Sequence, residues 1–379
     1  MSKNISADYL IIGGGIAGAS AGYALAGKGK VILLEKESQT AYHSTGRSAA
    51  IYTTTYNEGD PILRALVLAS ADHLKNPPDG FTDHDLLRPR QMLHIAPKEN
   101  HEKLAALYKS LMDIKADVSL INKDQLQQIL PLLSPDYAHE AILENGIADM
   151  DVHALQEGYM RAMRQNGAKI LTSKTVKNIR RDKGLWRVQA GNDTYEAPVV
   201  INAAGAWVDD IAAMAGVRKI GIQPLRRTAI LVSPPENTDV KDWPFVMEAV
   251  DGFYFKPDAG KILISPADAN PSEPCDAQPE EMDVAYAAHY LENALNFKVE
   301  KIDHRWAGLR NHVKDGHPVV GFAPDADGFF WLAAQGGFGV KTSPALGRIT
   351  AALVQGQPLP QDIQDLGLTE SHIGVSRLF

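Results

Sequence analysis

The segment LIIGGGIAGASAGYALAG, residues 10–27, runs eighteen positions without a charge, a length that by itself suits a membrane span. Its glycines decide otherwise. Gly13, Gly14, Gly15, Gly18, Gly22 and Gly27 would each weaken a helix interior by about 1 kcal/mol relative to alanine. Their spacing carries more than their number. Four apolar positions, Tyr9 to Ile12, lead into Gly13-x-Gly15-x-x-Gly18, and small and apolar residues then continue at helical spacing to Leu25. This order predicts a strand, a tight turn and a helix.

Such a turn needs Gly13 for its backbone angles and Gly15 so that a pyrophosphate can approach the main chain. Gly18 lets helix and strand pack closely. A helix N-terminus placed there favours phosphate. A second apolar run, Lys30 to Leu34, ends at Glu35, an acid positioned to bind a ribose hydroxyl pair and to repel a 2′-phosphate. The whole unit predicts a dinucleotide site and a Rossmann-like α/β domain.

At 379 residues, the chain exceeds one average domain. The N-terminus lacks the basic-then-apolar order of a secretory signal, and the expectation is a cytoplasmic protein, or one peripheral to a membrane, with no transmembrane segment. A net charge of −8 argues against a nucleic-acid partner. The single cysteine, Cys275, excludes an intramolecular disulfide or a redox dithiol. No metal-ligand set stands out.

Pattern changes give a discontinuous layout. Residues 1–85, 143–220 and 304–379 are assigned to the nucleotide domain. Residues 86–142 and 221–303 are assigned to a second domain, a substrate-binding antiparallel sheet with strands over 223–232, 244–257 and 261–266. The motif QGGFG at 335–339 reads as a strand-to-helix turn, with the helix over 343–355.

Together, the opening fingerprint, YHSTGRSAA at 42–50, VINAAGAW at 200–207, WAGLR at 306–310 and AAQGGFGVKTSPALG at 333–347 resemble the D-amino-acid oxidase and glycine oxidase family. Within it they resemble the D-arginine dehydrogenase group. The resemblance covers nearly the whole chain and implies FAD, held noncovalently because the C-terminal flavin region has no cysteine. No second GxGxxG is present for a nicotinamide cofactor. The resemblance implies cofactor contacts from Ser44, Thr45, Arg47 and Ser48, from Val176, Ala204 and Gly205, and from Gly336, Gly337, Gly339, Lys341 and Thr342.

On the substrate side, a bidentate guanidinium recognises a carboxylate with both charge and orientation. Arg310 matches the family's carboxylate anchor and Arg227 a second one, although Arg226 beside it leaves the register open. Tyr254 and Tyr56 resemble hydroxyls that line and cover the substrate cavity. Gln91 stands where the D-arginine dehydrogenase group has a glutamate for a basic side chain, and Ile51 where it has histidine. A neutral or broad range of D-amino acids is therefore expected, with Glu248 as another counter-ion for a basic substrate.

The implied reaction is hydride transfer from Cα to flavin N5, then hydrolysis of the imino acid to a 2-oxo acid and ammonia. The partners are a small amino acid and an unspecified electron acceptor: oxygen, a quinone or another carrier. Oxidation of secondary amines such as sarcosine, proline derivatives or opines, or of 2-hydroxy acids, uses the same anchor. A structural or tRNA-modifying flavoprotein is the alternative of a different class.

Overall fold

The computed structural model describes residues 4–250 and 252–379. The reading of residues 1–3 as lacking a secretory signal lies outside them. The strand Tyr9–Ile12 sits inside a six-stranded sheet, between Val31–Leu34 on one side and Val199–Asn202 on the other. Both pairings are parallel, with Ile12 level with Leu34 and with Asn202. The strand Phe329–Ala333 follows in parallel, with Asn202 level with Trp331. Apart from Asn202, these strands are largely apolar because both faces are covered. Leu10, Ile11, Ile32, Leu33, Val200 and Ile201 are fully buried.

One consequence of the register positions the site. Four strands end together, so the glycine turn, Glu35, the 203–205 loop and the 334–338 loop all leave from the same edge. Ligands of open α/β sheets bind in the crevice beyond such carboxyl ends. The helix Ile16–Leu25 follows the first turn and packs on the helix Gly339–Val354, which follows the last. That second helix begins at Gly339, four residues before the expected start, because the chain turns helical within the glycine motif itself.

A four-stranded sheet combines the three antiparallel strands Val176–Asp182, Leu185–Ala190 and Asp193–Ala197 with Asn4–Ser6. The remaining strands form a ten-stranded sheet. In it Gln223–Val232 pairs with Ile302–His312, and Leu87–Ile95 with Glu140–Met150. The breaks placed at residues 143 and 304 therefore cut through strands of this sheet. Both strands mix polar and apolar residues irregularly, which hid them from a period-2 reading. Among the described residues, no helix is long and apolar enough to cross a membrane.

Candidate active site

The glycine turn is dictated by contact. Gly13 has φ +110°, and a Cβ there would lie 2.3 Å from the Ala203 carbonyl oxygen. At Gly18 a Cβ would lie 2.0 Å from the Gly13 carbonyl oxygen. Gly18 thus acts beneath the site, through helix-to-strand packing, and does not line the cavity. Gly15 differs: only the Thr45 Oγ1, at 3.2 Å, lies near its Cβ position, so this residue opens onto a cavity of about 680 Å³.

That cavity runs from the ends of the six-stranded sheet to the face of the ten-stranded one. Gly13, Gly15, Glu35 and Val176 line its nucleotide end, with Ala204 and Gly205 beside them. The Glu35 carboxylate accepts hydrogen bonds from the Gly14 N–H at 2.7 Å and the Glu37 N–H at 2.9 Å, tying the second strand to the glycine turn. Gly15, the N-cap of the helix Ile16–Leu25, makes no side-chain capping bond, and Thr45 Oγ1 accepts from the Ile16 N–H at 3.0 Å. Helix N–H groups without such partners form an anion-binding terminus.

Ser44, Thr45, Arg47 and Ser48 all line the cavity, but the polar atoms of two of them are engaged elsewhere. The Ser44 hydroxyl donates to the Leu309 carbonyl at 2.6 Å. The Arg47 guanidinium donates to the Ala277 and Ala307 carbonyls at 2.8 and 3.0 Å and pairs with Asp276. This segment is a strap fastening the two sheets around the cavity, and its guanidinium is not free for a phosphate.

At the far end, Gly336, Gly337, Gly339 and Lys341 line the cavity. Thr342, one residue on, does not. It is fully buried, with its hydroxyl donating to the Phe338 carbonyl at 2.9 Å, a bond within the first turn of its own helix.

The ten-stranded sheet brings the two candidate arginines together. Arg227 lies opposite Gly308, and Arg310 opposite Leu225, making the two arginines diagonal neighbours on one face. Both line the cavity, whereas Arg226 points to the other face and pairs with Glu280 and Asp283. Of the two adjacent arginines, Arg227 is the one that lines the cavity. Tyr254 joins them from the strand Tyr254–Asp258, stacked on Phe245 with ring centroids 5.4 Å apart. Tyr56 reaches in from a short loop whose residues Asn57 and Glu58 have positive φ. Its hydroxyl lies 3.4 Å from Arg310 Nη1.

Electrostatically this end is cationic. Burial and the neighbouring Arg310 hold the Arg227 guanidinium below its ordinary pKa. Arg310 bears a burial penalty too, yet Tyr56, Tyr254 and Asp268 leave its pKa raised. The Lys341 amine is 2% exposed, and burial, with Arg310 adding to it, pushes its pKa down to about 7.

Gln91 is not in the cavity. A bulge between Arg90 and Met92 turns it to the outside, where its amide donates to Asn145 at 3.0 Å. Met92 takes the inward place beside Ile51. Glu248 is also excluded: its carboxylate accepts from the Val250 and Gly252 N–H groups at 2.8 and 3.2 Å. Sequence reasoning missed the polar wall that stands there instead. His94 Nε2 lies 2.7 Å from Glu144, which accepts the Thr55 hydroxyl at 2.6 Å, and Thr53 lies 2.7 Å from Thr55. The only signal in sequence was an acid within the apolar run 141–147.

Across residues 8–353 the chain matches the family model described as DAO, FAD dependent oxidoreductase. The chain belongs to this family. It is similar to the glycine oxidase of Geobacillus kaustophilus, 24% identical with 97% of each chain covered. The crystal structure of that glycine oxidase superposes with a TM-score of 0.82 at 23% identity, over 93% of this chain and 95% of the other. The dithionite-reduced, FAD-bound L-α-glycerophosphate oxidase of Mycoplasma pneumoniae superposes equally well, TM-score 0.82 at 20% identity, over 92% and 95%. The cofactor of this flavoenzyme family is FAD, and the glycine turn, open at Gly15 onto the cavity, fits it.

Proposed function

We propose that this flavoenzyme oxidises amino acids at Cα, with the D enantiomers as substrates. The observation that carries the reading is the diagonal pair Arg227 and Arg310, converging with Tyr254 and Tyr56 in the cavity that the glycine turn opens onto. Paired guanidinium groups with phenol side chains in the same cavity suit a carboxylate in charge and direction. Likeness to a glycine oxidase supports an amine substrate, and the D preference rests only on the resemblance to the D-amino-acid oxidase family.

When bound, FAD supplies the hydride acceptor for the Cα hydrogen. The protein's part is positioning. Arg310 and Arg227 fix the carboxylate, which leaves Cα one bond away with little freedom to turn. Their positive charge also lowers the pKa of the substrate ammonium, favouring the neutral amine that must release its electron pair. Loss of hydride leaves an imino acid, and water converts it to a 2-oxo acid and ammonia. No side chain is required as a base on Cα.

The test is product stoichiometry with an artificial electron acceptor. One 2-oxo acid and one ammonia per two electrons from a D-amino acid is the expected result. Oxidation of sarcosine to formaldehyde or of a 2-hydroxy acid without ammonia, with D-amino acids inert, would replace this substrate class.

A further inference from the structure

The substrate end of the cavity contains more positive charge than one carboxylate calls for. Arg227, Arg310 and Lys341 all line it, and among the described residues none of the three forms an ion pair. Other shielded cations of the chain do: Arg90 and Lys256 with Asp149, Arg226 with Asp283 and Arg47 with Asp276. Buried charges are ordinarily paired.

Their placement separates them into two sites. Arg227 and Arg310 are neighbours on one sheet face. Lys341 projects from the opposite side, from the first turn of the helix Gly339–Val354. Both sites meet Tyr56, its hydroxyl 3.4 Å from Arg310 and its ring face 4.3 Å from Lys341 Nζ. Two cations on different atoms of one phenol lie within reach of a short chain with an acid at each end.

The acids behind these cations are already engaged. Asp268 accepts from the Thr228 N–H at 2.6 Å and its hydroxyl at 3.0 Å. Glu144 is held by Thr55 and His94. Among the described residues neither acid is within ion-pair distance of the three cations, which leaves Lys341 as well as the arginine pair open to a carboxylate.

We propose that the substrate is an amino diacid of aspartate or glutamate length, its α-carboxylate on Arg227 and Arg310 and its second carboxylate on Lys341. This rests on the reading of the chain as an amino-acid oxidase or dehydrogenase and adds the side-chain class. Glu144 is a positioning residue here: its negative charge favours the protonated Lys341 amine.

The test is anaerobic reduction of the FAD-loaded protein by D-aspartate and D-glutamate against their amides, D-asparagine and D-glutamine, which match them in shape and lack the charge. The diacids are expected to half-saturate at concentrations at least about tenfold lower than the amides, the smallest effect of a desolvated charge pair. Lys341→Met should collapse that ratio to about one, and Lys341→Arg should restore part of it. Binding of non-reactive glutarate against butyrate, read from the flavin spectrum, should show the same preference. Amides that reduce FAD as well as the diacids would overturn the inference and leave amino-acid oxidation standing. So would a Lys341→Met protein that keeps the ratio and only binds FAD less tightly, because Lys341 would then serve the cofactor. Failure of every amino acid to reduce the flavin would remove the underlying reading, and the inference with it.

Discussion

The Arg310 guanidinium rests directly on the backbone of Gly337: a Cβ built on that glycine would lie 3.0 Å from Arg310 Cζ and 2.6 Å from the Tyr56 hydroxyl. The last glycine turn of the nucleotide side therefore sets the position of Arg310, the proposed substrate anchor, across the boundary between the two sheets. Gly337→Ala should displace Arg310 and Tyr56 without disturbing the glycine turn that follows the first strand. The expected outcome is a protein that retains FAD while kcat/KM falls by about tenfold to a hundredfold, as a 1 Å misplacement of a positioning group does. Arg310→Met should lower kcat/KM further, again with FAD bound. Wild-type kinetics in either variant would contradict the anchor assignment.

Gly15 and Gly18 should fail in different ways. Gly18→Val drives a side chain into the Gly13 carbonyl, so it should unfold the first turn and lower the melting temperature. Gly15→Val meets only the Thr45 hydroxyl and projects into the cavity. It should fold and lose FAD. Circular dichroism and the visible flavin band separate the two, and equal melting temperatures would contradict the distinction.

Acid should weaken the fold through His73. Burial pushes its pKa down to about 4, among the rings of Tyr23, Phe81 and Tyr159. The folded state therefore prefers neutral imidazole, whereas the unfolded chain takes up its proton near pH 6.5. The stabilisation is complete above about pH 6.5 and is lost as pH falls toward 4, an effect on the order of 3 kcal/mol. His73→Phe should flatten that part of the stability-against-pH curve in denaturant titrations. An unchanged slope would assign the acid sensitivity elsewhere.

Gln91→Ala should leave substrate preference unchanged, because the side chain lies outside the cavity. Met92→Glu places an acid at the inward position and should penalise diacids. A change of specificity in the first variant would reverse the correction made at this bulge.

The nucleotide half was legible from sequence because its demands are local. Gly13, Gly15 and Glu35 lie within one strand-turn-helix-strand unit, where backbone angle and close approach each leave a residue type behind. Arg310 and Arg227 were found through motifs, but their diagonal pairing depends on a register between strands far apart in the chain. Gln91 was misplaced because one extra residue in a strand exchanges inside for outside. The same holds for the wall of His94, Glu144, Thr53 and Thr55: three separate strands and loops supply it, and none carries a spacing that announces the others. Ser44 and Arg47 show a further limit, since their polar side chains, in a loop whose motif resembles a cofactor contact, fasten the protein to itself.

The most direct measurement is anaerobic bleaching of the bound flavin by a panel of D-amino acids, with the L enantiomers, N-methyl amino acids and 2-hydroxy acids beside them. Rapid bleaching by D-amino acids and slow or no bleaching by the others is the expected result. Bleaching only by L-amino acids, N-methyl amino acids or hydroxy acids would contradict the D-amino-acid reading, while leaving FAD and the fold as described.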